Sequence, residues 1–313
     1  MTAVSSRRGR RPGRVSDRLV LDVASSLTDR DRQLLRLLRW HRVLTTSQVH
    51  AMFFGDRNTA QHRMTRLYEL RLVERFRPLR QGRGGEYHYV LDQLGAYVVA
   101  VMANRDPDRE VKVRWRTDQA LSIAMSQRLA HTVGTNDLFV RLVAAARHDP
   151  AAQLVTWWGE RYCKAVLGEV VRPDGLGVWQ EADRSVTFCL EYDRGSEPLG
   201  RLAAKAADFA RLEAAWGVAF WVLVVVPGPR REAGARAALS GEGLAIATTT
   251  QPGAVRPTDA VWAPLDADGT RLRLIDLAGW PRSAASTARL AEAARLAEAA
   301  HYRRAGQWSE EAS

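Results

Sequence analysis

The chain has 313 residues, 46% of them apolar, with two cysteines and a formal net charge of +11. That length and apolar share support two domains with a sizeable core. Cys163 and Cys189 alone make no disulfide framework, so buried thiols in a reducing compartment are expected. The longest apolar run, "VAFWVLVVV" from Val218, is far too short for a membrane span, and the arginine-rich start has no apolar segment behind it to make a secretory signal. A soluble cytoplasmic protein with no membrane partner is therefore expected.

Charge is unevenly placed. Residues 1–118 hold 24 Lys and Arg against 13 Asp and Glu, whereas residues 119–313 hold 22 against 22. All of the excess lies in the first third, which points to a polyanion, and to nucleic acid before a membrane because no amphipathic anchor accompanies it.

Residues 1–25, containing "RRGRRPGR", read as a disordered basic arm able to touch phosphates. Residues 26–104 read as helix, helix, helix, hairpin, helix. Thr28 caps a helix with apolar Leu34, Leu35, Leu37 and Leu38, and "LTTSQVHAMFF" is a second, capped at Thr45 or Thr46. Gly55 and Asp56 make a turn into a third helix from about Arg57 to Leu70. "ERFRPLRQGRGGEYHYVL" gives two strands about the turn at Gly82–Gly85, and a helix from Asp92 to Val101 closes the unit. Residues 105–117 read as a linker.

The second domain is expected over 118–282. It begins with a helix from Asp118 to Arg147, then strands near Val155–Trp158, Glu169–Arg172 and Val186–Tyr192. A helix over Leu199–Ala215, a buried strand over Ala219–Val226, a helix over Arg230–Leu239 and short strands near Leu244–Thr248 and Ala260–Pro264 follow. This order predicts an α/β domain with the strand of the 220s at its centre. Residues 283–313 read as a terminal Ala/Glu/Leu helix and tail, expected to pack on its own domain, with self-association as the alternative.

Three helices followed by a two-stranded wing describe a winged helix-turn-helix, an α+β module whose third helix enters the major groove of double-stranded DNA. On that helix Ala60, Met64 and Leu67 share a core face, and Asn58, His62, Thr65 and Arg66 the opposite one. Asn and Arg are shaped for bidentate contact with adenine and guanine edges. Arg63, Arg71, Arg75, Arg77, Arg80 and Arg83 surround the helix and wing as candidates to hold phosphates.

"EVVRPDGLGVW" places Pro173 and Asp174 at a strand end, and "FCLEYDRGSE" carries Glu191 and Asp193 two apart on the next strand, with Lys205 on the following helix. Like charges on one strand face need a cation between them. Two carboxylates from adjacent strands suit Mg²⁺ or Mn²⁺, and a lysine beside them suits an attacking water. The alternative is an ion-pair network with Arg172, Arg194 or Lys205. The pattern resembles the PD-(D/E)XK nucleases, whose restriction-endonuclease-like mixed sheet is flanked by helices. That resemblance carries the metal-holding role to Asp174 and Glu191. It departs where Asp193 stands in place of a lysine, with Lys205 as a migrated equivalent and Glu160 as a further carboxylate.

The combination of a winged helix, His131, Asn136 and Asp137 on one helix, "RPDG", "EYDRGSE" and a lysine-bearing helix resembles the replication-relaxation family of actinobacterial plasmids and integrative elements, over about residues 28–226. The resemblance implies DNA binding in plasmid replication or mobilisation, with replication or conjugation proteins as further partners. Two functions stay open: a Mg²⁺-dependent nickase using Asp174, Glu191, Asp193 and Lys205, or a non-catalytic regulator or initiator whose second domain is a scaffold. A tyrosine nickase through Tyr87, Tyr89 or Tyr192 fits less well, for want of clustered histidines.

Overall fold

The computed structural model describes residues 17–280 and the pair 3–4, apart from 81–82, 105–112, 114–117, 169–170, 217–219, 241–243, 251–254 and 268. It is a mixed α/β protein with ten α-helices and a six-stranded mixed sheet among the described residues. The described residues divide into two compact units, up to Val133 and from Gly134 onward. The terminal helix expected after 282 lies outside the described residues.

In the first unit, helix α1 (Asp17–Ser25) occupies the end of the stretch expected to be an unstructured arm. It holds because Val20 is buried. Helix α2 (Asp29–His41) starts at Thr28, which forms a reciprocal capping box with Asp31, and α3 (Thr46–Phe53) starts at Thr45 with the equivalent box to Gln48. Helix α4 (Arg57–Glu69) begins at Asp56. Strands β1 (Ala3–Val4), β3 (Val73–Arg77), β6 (His88–Leu91) and β2 (Leu44–Thr45) make a four-stranded sheet in that order, antiparallel where they pair. A small ribbon, β4 (Leu79–Arg80) with β5 (Arg83–Gly84), extends the β3–β6 hairpin. Helix α5 (Gln93–Ala103) passes so close to Leu72 that a Cβ on Gly95 would lie 1.9 Å from the Leu72 carbonyl oxygen, so only glycine fits there.

The helix expected over 118–147 is broken into α6 (Gln119–Ala124) and α7 (Leu129–Ala146). Ala120, Ile123 and Ala124 pack with Val43, Phe76 and Val90, with Leu129 and Val133 against them. Residues 118–133 thus complete the first core, and the division falls later than the composition shift suggested.

The second unit is one sheet in the order β12-β11-β10-β9-β8-β7. Its strands are β7 (Ala152–Gly159), β8 (Gly175–Glu181), β9 (Arg184–Tyr192), β10 (Trp221–Val226), β11 (Ile246–Thr250) and β12 (Ala263–Pro264). Strands β9, β10 and β11 are parallel, joined by crossovers through α9 (Leu199–Trp216) and α10 (Pro229–Leu239); the other pairs are antiparallel. The β10 run is buried at every position, as a strand covered on both faces requires. Phe139, Trp179, Phe188, Leu223, Trp262 and Leu277 anchor the core. Helix α8 (Glu160–Leu167) was not foreseen; of the strand expected over 169–172, residues 169–170 lie outside the described residues and 171–172 are not in a strand, and β8 follows Asp174 rather than preceding it.

Candidate functional site

Helix α4 of the first unit is set by its buried stripe, Ala60, Met64 and Leu67, all fully enclosed. Asn58, His62 and Arg66 on the other side are exposed, and Thr65 is half-buried between the faces. Arg66 reaches Glu69 at 3.5 Å, a solvent-exposed pair of small energetic weight. The side chains of Arg80 and Arg83, and the turn at 81–82, lie outside the described residues.

Arg63 does not join this surface. Its Nε donates to Asp31 Oδ1 at 2.8 Å, and a terminal nitrogen donates to Asp31 Oδ2. Asp31, 1% exposed, also accepts from the Thr28 backbone N–H at 2.9 Å and its hydroxyl at 2.6 Å. Burial alone would raise the Asp31 pKa, but hydrogen bonds from Arg63 and Thr28 outweigh it and hold the carboxyl below its ordinary value. Arg63 is therefore a brace between α4 and the start of α2, because a buried carboxylate claims the nearest guanidinium.

Arg75 and Arg77 behave differently. The Arg75 guanidinium carbon lies 4.3 Å from the Tyr68 ring centroid and 4.4 Å from that of Tyr87, and Arg77 lies 3.7 Å from Tyr87. Thr65 accepts a long bond from Arg75 at 3.5 Å, linking the stack to α4. Neither arginine has a carboxylate partner among the described residues, in contrast to Arg57 with Glu86, Arg63 with Asp31 and Arg66 with Glu69. Tyr68 and Tyr87 were not anticipated as part of this surface; their only sequence signal is interleaving with arginines.

In the second unit, register builds the carboxylate site. Gly159 pairs with Gly175 and Gly175 with Leu190, so the neighbouring positions Glu160, Asp174 and Glu191 stand side by side across three strand ends. Asp174 is fixed by its own N–H donating to Leu190 O at 2.9 Å and by the Tyr192 N–H donating to its Oδ2 at 2.8 Å. Lys205 on α9 donates to Glu191 Oε2, while Glu191 Oε1 is buried with no hydrogen-bond partner among the described residues. Burial, then the Asp174 charge, push the Glu191 carboxyl up to about 8, with Lys205 pulling the other way and Glu160 adding to the rise. For Lys205, burial lowers the pKa, but Glu191 and Asp174 outweigh it and raise it, so the ammonium stays charged.

Asp193 is not part of this group. Strand β9 ends at Tyr192, and the Asp193 carboxylate turns to Arg231 on α10, whose Nε donates at 2.6 Å, and to the Gly195 N–H at 2.7 Å. Arg231 also donates to Glu197 O at 2.5 Å, so Asp193 and Arg231 staple the 193–197 loop. Among the described residues, no group of three or more His, Cys, Asp or Glu side chains is arranged to hold a metal ion.

Tyr89 is fully buried, and Tyr192 packs against α7, where a Cβ on Gly134 would meet its ring at 2.4 Å. Asn136 is buried, and Asp137 pairs with Arg141 at 2.7 Å on the same helix.

No curated protein and no solved structure matches the chain. The replication-relaxation family model matches residues 35–219, more than half of the chain, spanning α4 with its arginines as well as Asp174, Glu191 and Lys205. By that match, the chain belongs to the replication-relaxation family.

Proposed function

We propose that the protein binds double-stranded DNA through the first unit, with α4 as the recognition helix and the β3–β6 hairpin as the wing of a winged helix-turn-helix. The role fits plasmid replication or relaxation, which membership of the family suggests. The observation that carries the reading is the pair Arg75 and Arg77, without carboxylate partners among the described residues, beside the exposed Asn58, His62 and Arg66. Asn58 and Arg66 supply base-edge contacts and the wing arginines supply phosphate contacts. Selection of binding sites from a random duplex pool by the full-length protein supplies the test sequence. On a selected site, Arg66→Ala is expected to weaken binding by about 1–3 kcal/mol and to relax selection at one position. Unchanged affinity and selection would remove α4 from the interface.

For the second unit we propose a PD-(D/E)XK-like domain that nicks or relaxes DNA with Mg²⁺ or Mn²⁺. The unpartnered Glu191 Oε1 beside Asp174 supports it: a buried carboxylate oxygen next to a second carboxylate is a fit for a hard divalent cation. Asp174 and Glu191 would hold the ion, which when bound stabilises charge on the phosphate. Lys205, kept charged by its carboxylate neighbours, orients a water and stabilises negative charge rather than taking a proton.

A second reading, a non-catalytic scaffold, is favoured by the Lys205–Glu191 and Arg231–Asp193 contacts, which give both acidic side chains a basic partner within the fold. Supercoiled plasmid incubated with the protein separates the two. Nicking that needs Mg²⁺, stops with EDTA and is lost in Asp174→Asn while DNA binding survives establishes the first; intact plasmid under all conditions establishes the second.

A further inference from the structure

We propose that Tyr87 is a positioning residue that racks Arg75 and Arg77 for contact with consecutive backbone phosphates, a role that rests on the DNA-binding reading of the first unit. The Tyr87 ring lies against both guanidinium groups, at 4.4 and 3.7 Å, and Tyr68 covers Arg75 at 4.3 Å. A guanidinium flanked by two rings keeps its in-plane N–H edge for other partners, and that edge matches phosphate oxygens in a fork geometry. Arg75 and Arg77 stand two apart on β3, so their side chains share a strand face and follow the pleat together.

The surroundings explain why rings hold these two groups. Arg75 Nε and Arg77 Nε are both buried and lack hydrogen-bond partners among the described residues, and the one side-chain bond there, from Arg75 to Thr65 at 3.5 Å, is long, so the rings are the closer restraint. No carboxylate pairs with either among those residues, unlike Arg57, Arg63 and Arg66. An unrestrained arginine loses much of its rotamer freedom on binding a phosphate, and prior stacking removes part of that loss. Tyr68 on α4 and Tyr87 just before β6 also tie the rack to the helix that carries Asn58, His62 and Arg66.

The test measures binding of the full-length protein to a labelled 30-base-pair duplex by fluorescence anisotropy across a KCl series. Tyr87→Leu changes no charge, yet it should weaken binding about fivefold, the loss expected when two partly buried cation–π contacts no longer hold the arginines in place. Tyr87→Phe keeps the ring and should restore wild-type affinity. In the Arg75→Ala/Arg77→Ala background, Tyr87→Leu should have no further effect. Arg75→Lys/Arg77→Lys leaves Tyr87 in place and keeps both charges; it should lose at least that roughly fivefold, because an ammonium has no planar fork for the ring to hold toward phosphate. That arm decides the matter even if Tyr87→Leu fails to fold.

Full affinity in the double-lysine variant, or an equal loss from Tyr87→Leu with and without the two arginines, would overturn the rack. If Arg66→Ala still weakens binding in that case, the DNA-binding reading stands while the rack falls. Absence of any duplex binding by the wild-type protein would overturn both.

Discussion

Glu191 retains a proton far above the pH at which a solvent-facing glutamate releases it, because it is buried and Asp174 adds negative charge beside it. With the folded value pushed up to about 8 from the ordinary 4.5, the folded protein holds a proton that the unfolded chain has lost throughout that interval. Stability should therefore fall as pH rises from about 4.5 to about 8 and level off above it. Glu191→Gln, which stays neutral, should flatten this decline in melting temperature against pH; an unaltered decline would put its origin elsewhere. If Glu191 holds the proposed divalent cation, the ion would compete with the same proton, so stabilisation by Mg²⁺ would be weak near neutral pH and grow through about pH 8. Asp174, Glu191 and Lys205 were legible as a group because acid at strand ends and a lysine on the next helix is a local pattern. Asp193 was misread for a local reason too. Alternation puts it on the face of Glu191 only if the strand continues, and the partner that claims it, Arg231, is 38 residues away.

At the scale of elements, α4 is tied to the start of α2 by Arg63 and Asp31. That carboxylate serves the α2 capping box and the guanidinium at once, so loss of either partner disturbs two helices. Arg63→Ala leaves a buried charge without its partner and is expected to cost about 2–3 kcal/mol, at the low end for a broken buried pair because Arg63 is 30% exposed. Urea denaturation measures it, and a change under about 0.5 kcal/mol would make the pair an ordinary surface contact.

Helix caps such as Thr28, Thr45 and Asp56 were readable because capping is chemistry within four residues. Strand β8 was not. "GLGVWQE" is assigned no strand from the sequence, yet a Cβ at Gly175 would lie 2.7 Å from Phe139 and one at Gly177 would lie 2.4 Å from Phe188. Those glycines make room for distant rings, a tertiary demand that no local pattern displays.

Across the whole molecule, charge and fold divide at different places. The excess of positive charge lies within residues 1–118, whereas the first compact unit runs to Val133. The composition shift marked the end of the basic surface, and the later boundary reflects apolar packing by Ile123 and Ala124 that charge cannot report. If the basic third carries DNA binding, affinity should fall steeply with salt, by a slope near 0.9 per phosphate neutralised. Replacement of the five arginines within residues 1–16 by glutamine, which keeps β1 and α1, should make that slope shallower without altering the preferred sequence. A slope equal to that of the unaltered chain would take the N-terminal arginines out of the contact.

The two cysteines have a consequence of another kind. Cys163 and Cys189 both belong to the second unit, both are 0% exposed, and burial raises the pKa of each thiol. Only a thiolate attacks a disulfide reagent, so neither sulfur reacts until that half of the molecule opens. The first unit has no cysteine to confuse the reading. A chromogenic disulfide added to the native protein is thus a clock built into the chain. It times the opening of the carboxylate-bearing half alone, and Mg²⁺, DNA or a Lys205 substitution can each be scored by whether the clock runs faster or slower.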